Sequence, residues 1–85
     1  MKKPDTVLRE YANRISDDDL KFLHTRLSQR LAGDMAEALQ FLGKDPAVDR
    51  LLRDQQDGEK LYDIIDVLQN YLDQQFKKRF AGMIV

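Results

Sequence analysis

The chain has 85 residues, 42% apolar and 34% charged, with 14 lysines and arginines against 15 aspartates and glutamates. That length is one domain's worth of chain, and a domain so short buries only roughly 60% of the surface its unfolded form exposes, so its core is thin. The balanced charge excludes a global field that would steer the protein to nucleic acid or an anionic membrane. The absence of cysteine excludes disulfides and thiolate chemistry, and a single histidine excludes the usual zinc ligand sets.

The first helix is expected over residues 5–13. Pro4 sits near its first turn, where a missing N–H removes no intrahelical bond. Val7, Leu8, Tyr11 and Ile15 form its apolar stripe. Ser16 then reads as an N-cap, with Asp17, Asp18 and Asp19 facing the positive end of the next helix dipole. The apolar series Leu20, Leu23, Leu27, Leu31, Met35, Ala38, Leu39 and Leu42 advances mostly by three or four residues, which predicts a helix over 17–42. Gly33-Asp34 offers a kink or break, as a C-terminal glycine followed by a cap with Glu37 at the capping-box position. The unchanged phase of the stripe argues for continuity, since a mid-helix glycine costs only about 1 kcal/mol.

Gly43 closes that element, and Asp45-Pro46 opens a short helix over 46–54, with Asp as N-cap and Pro at the first helical position. Asp57-Gly58 marks a turn. The last helix is expected over 59–80. Its polar stripe holds Asp63, Asp66, Asn70, Asp73 and Lys77. Its apolar side holds Leu61, Ile64, Ile65, Val67, Leu68, Tyr71, Leu72 and Phe76, an arc of roughly 200° where an ordinary surface helix needs little more than about 100°. Such a helix is flanked on two sides or shared with a partner chain. Residues 81–85 continue as an apolar tail. The implied fold is all-α: a small bundle of about four helices on a long antiparallel hairpin, forming a single domain over 1–85.

Little in the sequence points to chemistry. Three successive aspartates on a helix point in three directions and cannot wrap a cation, so capping explains them. The stretch from Arg53 to Gly58 fails the calcium-loop pattern at both ends. His24 lies on the apolar face and reads as a core-edge histidine with one satisfied nitrogen rather than a general base. Asp63, Asp66 and Asp73 share one face, read as solvated. Gly43-Lys44 lacks the other residues of a phosphate loop. Residues 35–52 have the outline of a helix-turn-helix, but Leu39 and Asp49 stand where that pattern wants a small and an apolar residue. Arg50 and Arg53 are offset by Asp49 and Asp54. The expectation is a protein with no enzymatic activity, no cofactor and no metal.

What remains is apolar surface in awkward places. Phe22 lies on the far side of its helix from Leu20 and Leu27. With Val67, Tyr71, Phe76, Phe80, Met83 and Ile84 it forms a candidate interaction surface. These residues predict a protein–protein interaction module whose partner is a protein, with a homodimer foremost. The alternative is a small nucleic-acid-binding regulator using Lys21, Arg26 and Arg30 with Lys77, Lys78 and Arg79, although no aromatics are interleaved for base stacking. No window reaches the ~20 apolar residues of a membrane span. Pro4, Asp5, Arg9 and Glu10 stand where a secretory signal needs its apolar region, so a cytoplasmic location without membrane contact is expected.

Overall fold

Pro4, Ser16 and Asp45-Pro46 each start a helix where their chemistry requires one, in a computed structural model that describes residues 3–54 and 58–81. Five helices follow in order: α1 Pro4–Arg14, α2 Asp17–Gln29, α3 Ala32–Leu42, α4 Pro46–Arg53 and α5 Gly58–Phe80. No strand occurs among the described residues. The Asp19 N–H donates to Ser16 Oγ at 3.2 Å, and the Ala47 and Val48 N–H groups both donate to Asp45 Oδ1 at 3.1 Å. Both expected caps are therefore formed, and each satisfies N–H groups that a helix start leaves without a partner.

The helix expected over 17–42 is instead two helices, and the architecture has five elements rather than four. The break does not fall at Gly33-Asp34, which lie inside the first turn of α3. It falls at Arg30, whose backbone turns left-handed (φ 56°, ψ 23°), and at Leu31, which is extended. Arg30 occupies the position that glycine ordinarily takes after a helix end. The glycine signal stands three residues downstream of the turn, which is why local sequence misplaces it. Leu31, expected on the core stripe, is 61% exposed.

α5, 23 residues and about 35 Å long, is the spine. α1 and α2 pack on it, α3 packs on α2, and α4 packs on α1. Side-chain contacts set the directions. Along α1, Asp5 meets Tyr71 and Asn13 meets Gln75, so α1 runs parallel to α5. Along α2, His24 meets Asp73 and Arg30 meets Asp66, so α2 runs antiparallel to it. Phe22 meets Phe41 and Arg26 meets Asp34, so α3 doubles back along α2 as a helical hairpin. The principal antiparallel partner of α5 among the described residues is thus α2, not an unbroken 17–42 helix.

One core cluster takes residues from every helix, including Leu8 and Tyr11, Leu20, Leu23 and Leu27, Ala38 and Leu42, Val48, and Ile65, Leu68 and Leu72. The wide apolar arc of α5 follows from its two neighbours. Ile64, Ile65, Leu68 and Leu72 are buried, and Val67, Tyr71 and Phe76 are partly buried against the core.

Candidate interaction surface

The structure takes apart the apolar set that the sequence groups together. Phe80 is 8% exposed and belongs to the core, with the Lys21 ammonium 4.9 Å from its ring centre. Phe76 is half-buried between two rings, stacked on His24 at 4.3 Å and tilted against Phe80 at 5.0 Å. Phe22 is half-buried against Phe41 of α3 at 5.3 Å, with the Arg26 guanidinium 5.0 Å from its ring centre. Val67 and Tyr71 are half-buried against the core. The Tyr71 hydroxyl donates to Asp5, and that hydrogen bond, helped by slight desolvation, raises the phenol above its ordinary pKa. Met83 and Ile84 lie outside the described residues.

The three arginines of the basic set are engaged within the fold as well. Arg79 is the clearest case: its guanidinium donates to the carbonyls of Ile15 (2.7 Å), Asn13 (3.0 Å) and Ala12 (3.4 Å) and reaches Asp17 at 3.2 Å. These are carbonyls at the C-terminal end of α1, which the helix itself cannot satisfy, and a planar five-donor fork is suited to several at once. Arg26 reaches Asp34 at 3.3 Å and Glu37 at 3.1 Å; the Glu37 contact is an ion pair only, since Arg26 Nε is buried without a properly aimed hydrogen bond. Arg30 pairs with Asp66 and also donates to Gln69. Lys21, Lys77 and Lys78 are exposed.

The aspartates of α5 are therefore not uniformly a solvated face. Asp66 ties α5 to Arg30, and Asp73 Oδ1 lies 2.9 Å from His24 Nε2. His24 is a core-edge histidine with one nitrogen on a carboxylate, and its ring covers Phe76. The signal was present in the sequence as spacing: His24 and Arg30 on one helix match Asp73 and Asp66 on an antiparallel one.

Shallow clefts open on the surface among the described residues, and two of them border the helices just described. One, of about 460 Å³, lies where the α1–α2 corner meets the start of α4 and is lined by Tyr11, Ser16, Asp19, Phe41, Lys44 and Asp45 among others. Burial, then the nearby carboxylates of Asp45 and Asp19, push the Tyr11 phenol up to about 12. Partial burial would raise the Asp45 carboxyl, but the Val48 N–H, the Arg14 guanidinium and the Ala47 N–H outweigh it and hold it below its ordinary value. Both shifts serve capping and packing, and the lining charges are of mixed sign. The second cleft, of about 390 Å³, lies along α2 beside Phe22 and Lys21.

Among the described residues, two large apolar side chains stand out to solvent: Leu31 at 61% and Tyr62 at 58%. Leu31 directly follows Arg30, and Tyr62 lies one turn before Asp66, so the Arg30–Asp66 pair brings both to one end of the molecule. Neither belongs to the set expected from sequence. Tyr62 had a visible signal, an aromatic one turn from Asp66 on the polar stripe; Leu31 had none, because it lies in phase with Leu27 and Met35. No helix among the described residues is long and apolar enough to cross a membrane. No protein-family model matches the chain, and no curated protein or solved structure matches it.

Proposed function

We propose that this protein is a non-enzymatic helical interaction module that binds another protein, a second copy of itself foremost, through the end of the molecule that carries Leu31 and Tyr62. The carrying observation is the exposure of these two side chains, one next in sequence to Arg30 and the other one turn before Asp66, with Arg30 and Asp66 paired. Burying them supplies the apolar centre of a contact, and Arg30 and Asp66 supply a polar rim. Two side chains are far less than the ~800 Å² per partner of a stable interface, so this patch alone supports weak, concentration-dependent association. Of the α5 residues, Phe80 is buried and Val67, Tyr71 and Phe76 are partly buried against the core, so the proposed contact is placed on Leu31 and Tyr62 instead.

The test is the solution mass by light scattering across a dilution series, for the natural protein and for Leu31→Ser with Tyr62→Ser. Mass that rises with concentration and falls back in the double variant supports the reading. A mass of 9.9 kDa at every concentration removes self-association and leaves a different protein as partner. A nucleic-acid regulator retains Lys21, Lys77 and Lys78 as exposed contacts, with Arg26, Arg30 and Arg79 engaged within the fold. Binding to DNA or RNA at low salt that falls steeply as salt rises would favour that reading instead.

A further inference from the structure

The two-residue corner at Arg30-Leu31 divides the protein into two parts that hold together mainly through each other. The principal helix packings are α1 on α5, α2 on α5, α2 on α3 and α1 on α4. Every one of them joins a helix before the corner to a helix after it. The side-chain links repeat the pattern: Phe22 to Phe41, Arg26 to Asp34, His24 to Asp73 and Phe76, Arg14 to Asp45, and Arg79 to the α1 carbonyls.

The corner itself is weakly determined. Arg30 is the one non-glycine residue with positive φ among the described residues, a conformation that crowds an L side chain. α3 starts without a side-chain cap, and Leu31 at its N-cap is 61% exposed. The sequence through the corner suits a straight helix equally well, because Leu27, Leu31 and Met35 follow at four-residue steps. Gly33 introduces no steric demand, since a Cβ there would meet nothing within 4 Å.

We infer that the corner is a hinge, that α2 and α3 can straighten into one helix over 17–42, and that two copies of the chain then form a domain-swapped dimer. This inference rests on the self-association reading and replaces surface contact between folded monomers with an exchange of helices. In the dimer, α1 and α2 of one copy pack against α3, α4 and α5 of the other, and the principal packings of the monomer are rebuilt unchanged between copies. Arg30 leaves its left-handed conformation. Leu31 enters line with Leu27 and Met35 on two straight helices, each roughly 39 Å long, that meet near the dimer axis. Arg26 and Asp34, too far apart to touch along one straight helix, pair between copies. Short hinges under strain favour this exchange.

The experiment refolds the full chain from denaturant at low and high protein concentration and measures the dimer fraction by size exclusion with light scattering. The decisive variant is Ala32→Pro. Position 32 opens α3, and Leu31 before it is extended (ψ 147°), so proline fits the monomer. In a straight helix the same proline is interior, and each hinge is disfavoured by roughly 100-fold. Arg30→Val is the opposite variant, since a β-branched residue is barely compatible with positive φ. Asp66→Asn controls for loss of the Arg30 pair without altering the hinge.

A dimer that forms on concentrated refolding, disappears in Ala32→Pro with helicity retained, and rises in Arg30→Val but not Asp66→Asn establishes the swap. A dimer that persists in Ala32→Pro overturns the swap and leaves surface association standing. No dimer in any variant, Arg30→Val included, overturns both. If Ala32→Pro fails to fold, Arg30→Val against Asp66→Asn decides: equal dimer fractions overturn the hinge.

Discussion

The corners between α1 and α2 and between α2 and α3 are both two residues long, Ile15-Ser16 and Arg30-Leu31, yet they are held in opposite ways. At the first, Ile15 is buried, Ser16 caps α2, and Arg79 arrives from the far end of α5 to satisfy the last carbonyls of α1. At the second, no side chain caps α3, Arg30 sits in a left-handed conformation, and Leu31 faces solvent. The first corner is determined by groups that converge on it. The second is determined by what lies beyond it, the packing of α3 along α2 through Phe22, Phe41 and Arg26. Loop length therefore says little about rigidity; the satisfaction of helix ends and the burial of the corner's own apolar residue say more.

The largest expected contrast is between the leucines beside the two corners. Leu20 has no exposed surface and Leu31 is mostly exposed. Leu20→Ala is expected to cost about 2–5 kcal/mol in urea unfolding and Leu31→Ala less than about 0.5 kcal/mol. Similar losses at both sites would mean that the second corner is as buried as the first.

Next comes Arg79→Ala, which leaves several carbonyls at the end of α1 without their donor. A loss of about 1.5–3 kcal/mol is expected, with Arg79→Lys recovering little because an ammonium cannot span the same set. Arg30→Ala, which breaks an exposed pair, is expected to cost under about 1 kcal/mol. Hydrogen exchange should also quicken at α1 in the Arg79 variant and not at α3 in the other.

A third test uses alkaline pH. Tyr11 lines the cleft at the first corner, and its phenol is raised from 10.0 to about 12. The folded state holds that proton more tightly than the unfolded state. Its contribution is present in full below pH 10 and is lost as pH rises through about 12. After allowance for water reaching the cleft, about 1–2 kcal/mol should disappear over that window, and Tyr11→Phe should remove the dependence. An unchanged alkaline profile in Tyr11→Phe would show that the hydroxyl is well solvated.

The smallest effects compare the caps themselves. Ser16→Ala should cost about 1 kcal/mol by removing the acceptor for the Asp19 N–H. Arg30→Gly should change stability by less than about 1 kcal/mol, relief of the left-handed backbone offsetting the lost Asp66 pair. Thermal melts under one buffer resolve the two, and a marked gain in Arg30→Gly would show that strain dominates at the second corner.

The sequence by itself determined the all-helical class, the starts of α1, α2 and α4, and the span of α5, because these depend on groups a few residues apart. Pro4, Ser16 and Asp45-Pro46 act within one turn of themselves, and the α5 stripe repeats with the helix period. Tertiary structure alone decided where the stripe from Leu20 to Leu42 breaks, and whether the α5 arc faces inward. Four-residue steps keep the same phase whether a helix runs straight or turns back at Arg30, so the choice lies with Phe41 and Asp34 reaching Phe22 and Arg26. The degree of burial of the candidate apolar residues on α5 was hidden from the sequence for the same reason. An apolar arc on one helix records how much must be covered, and only the positions of α1 and α2 show that most of it is covered within the chain, while Leu31, in phase with the core, is carried outside it.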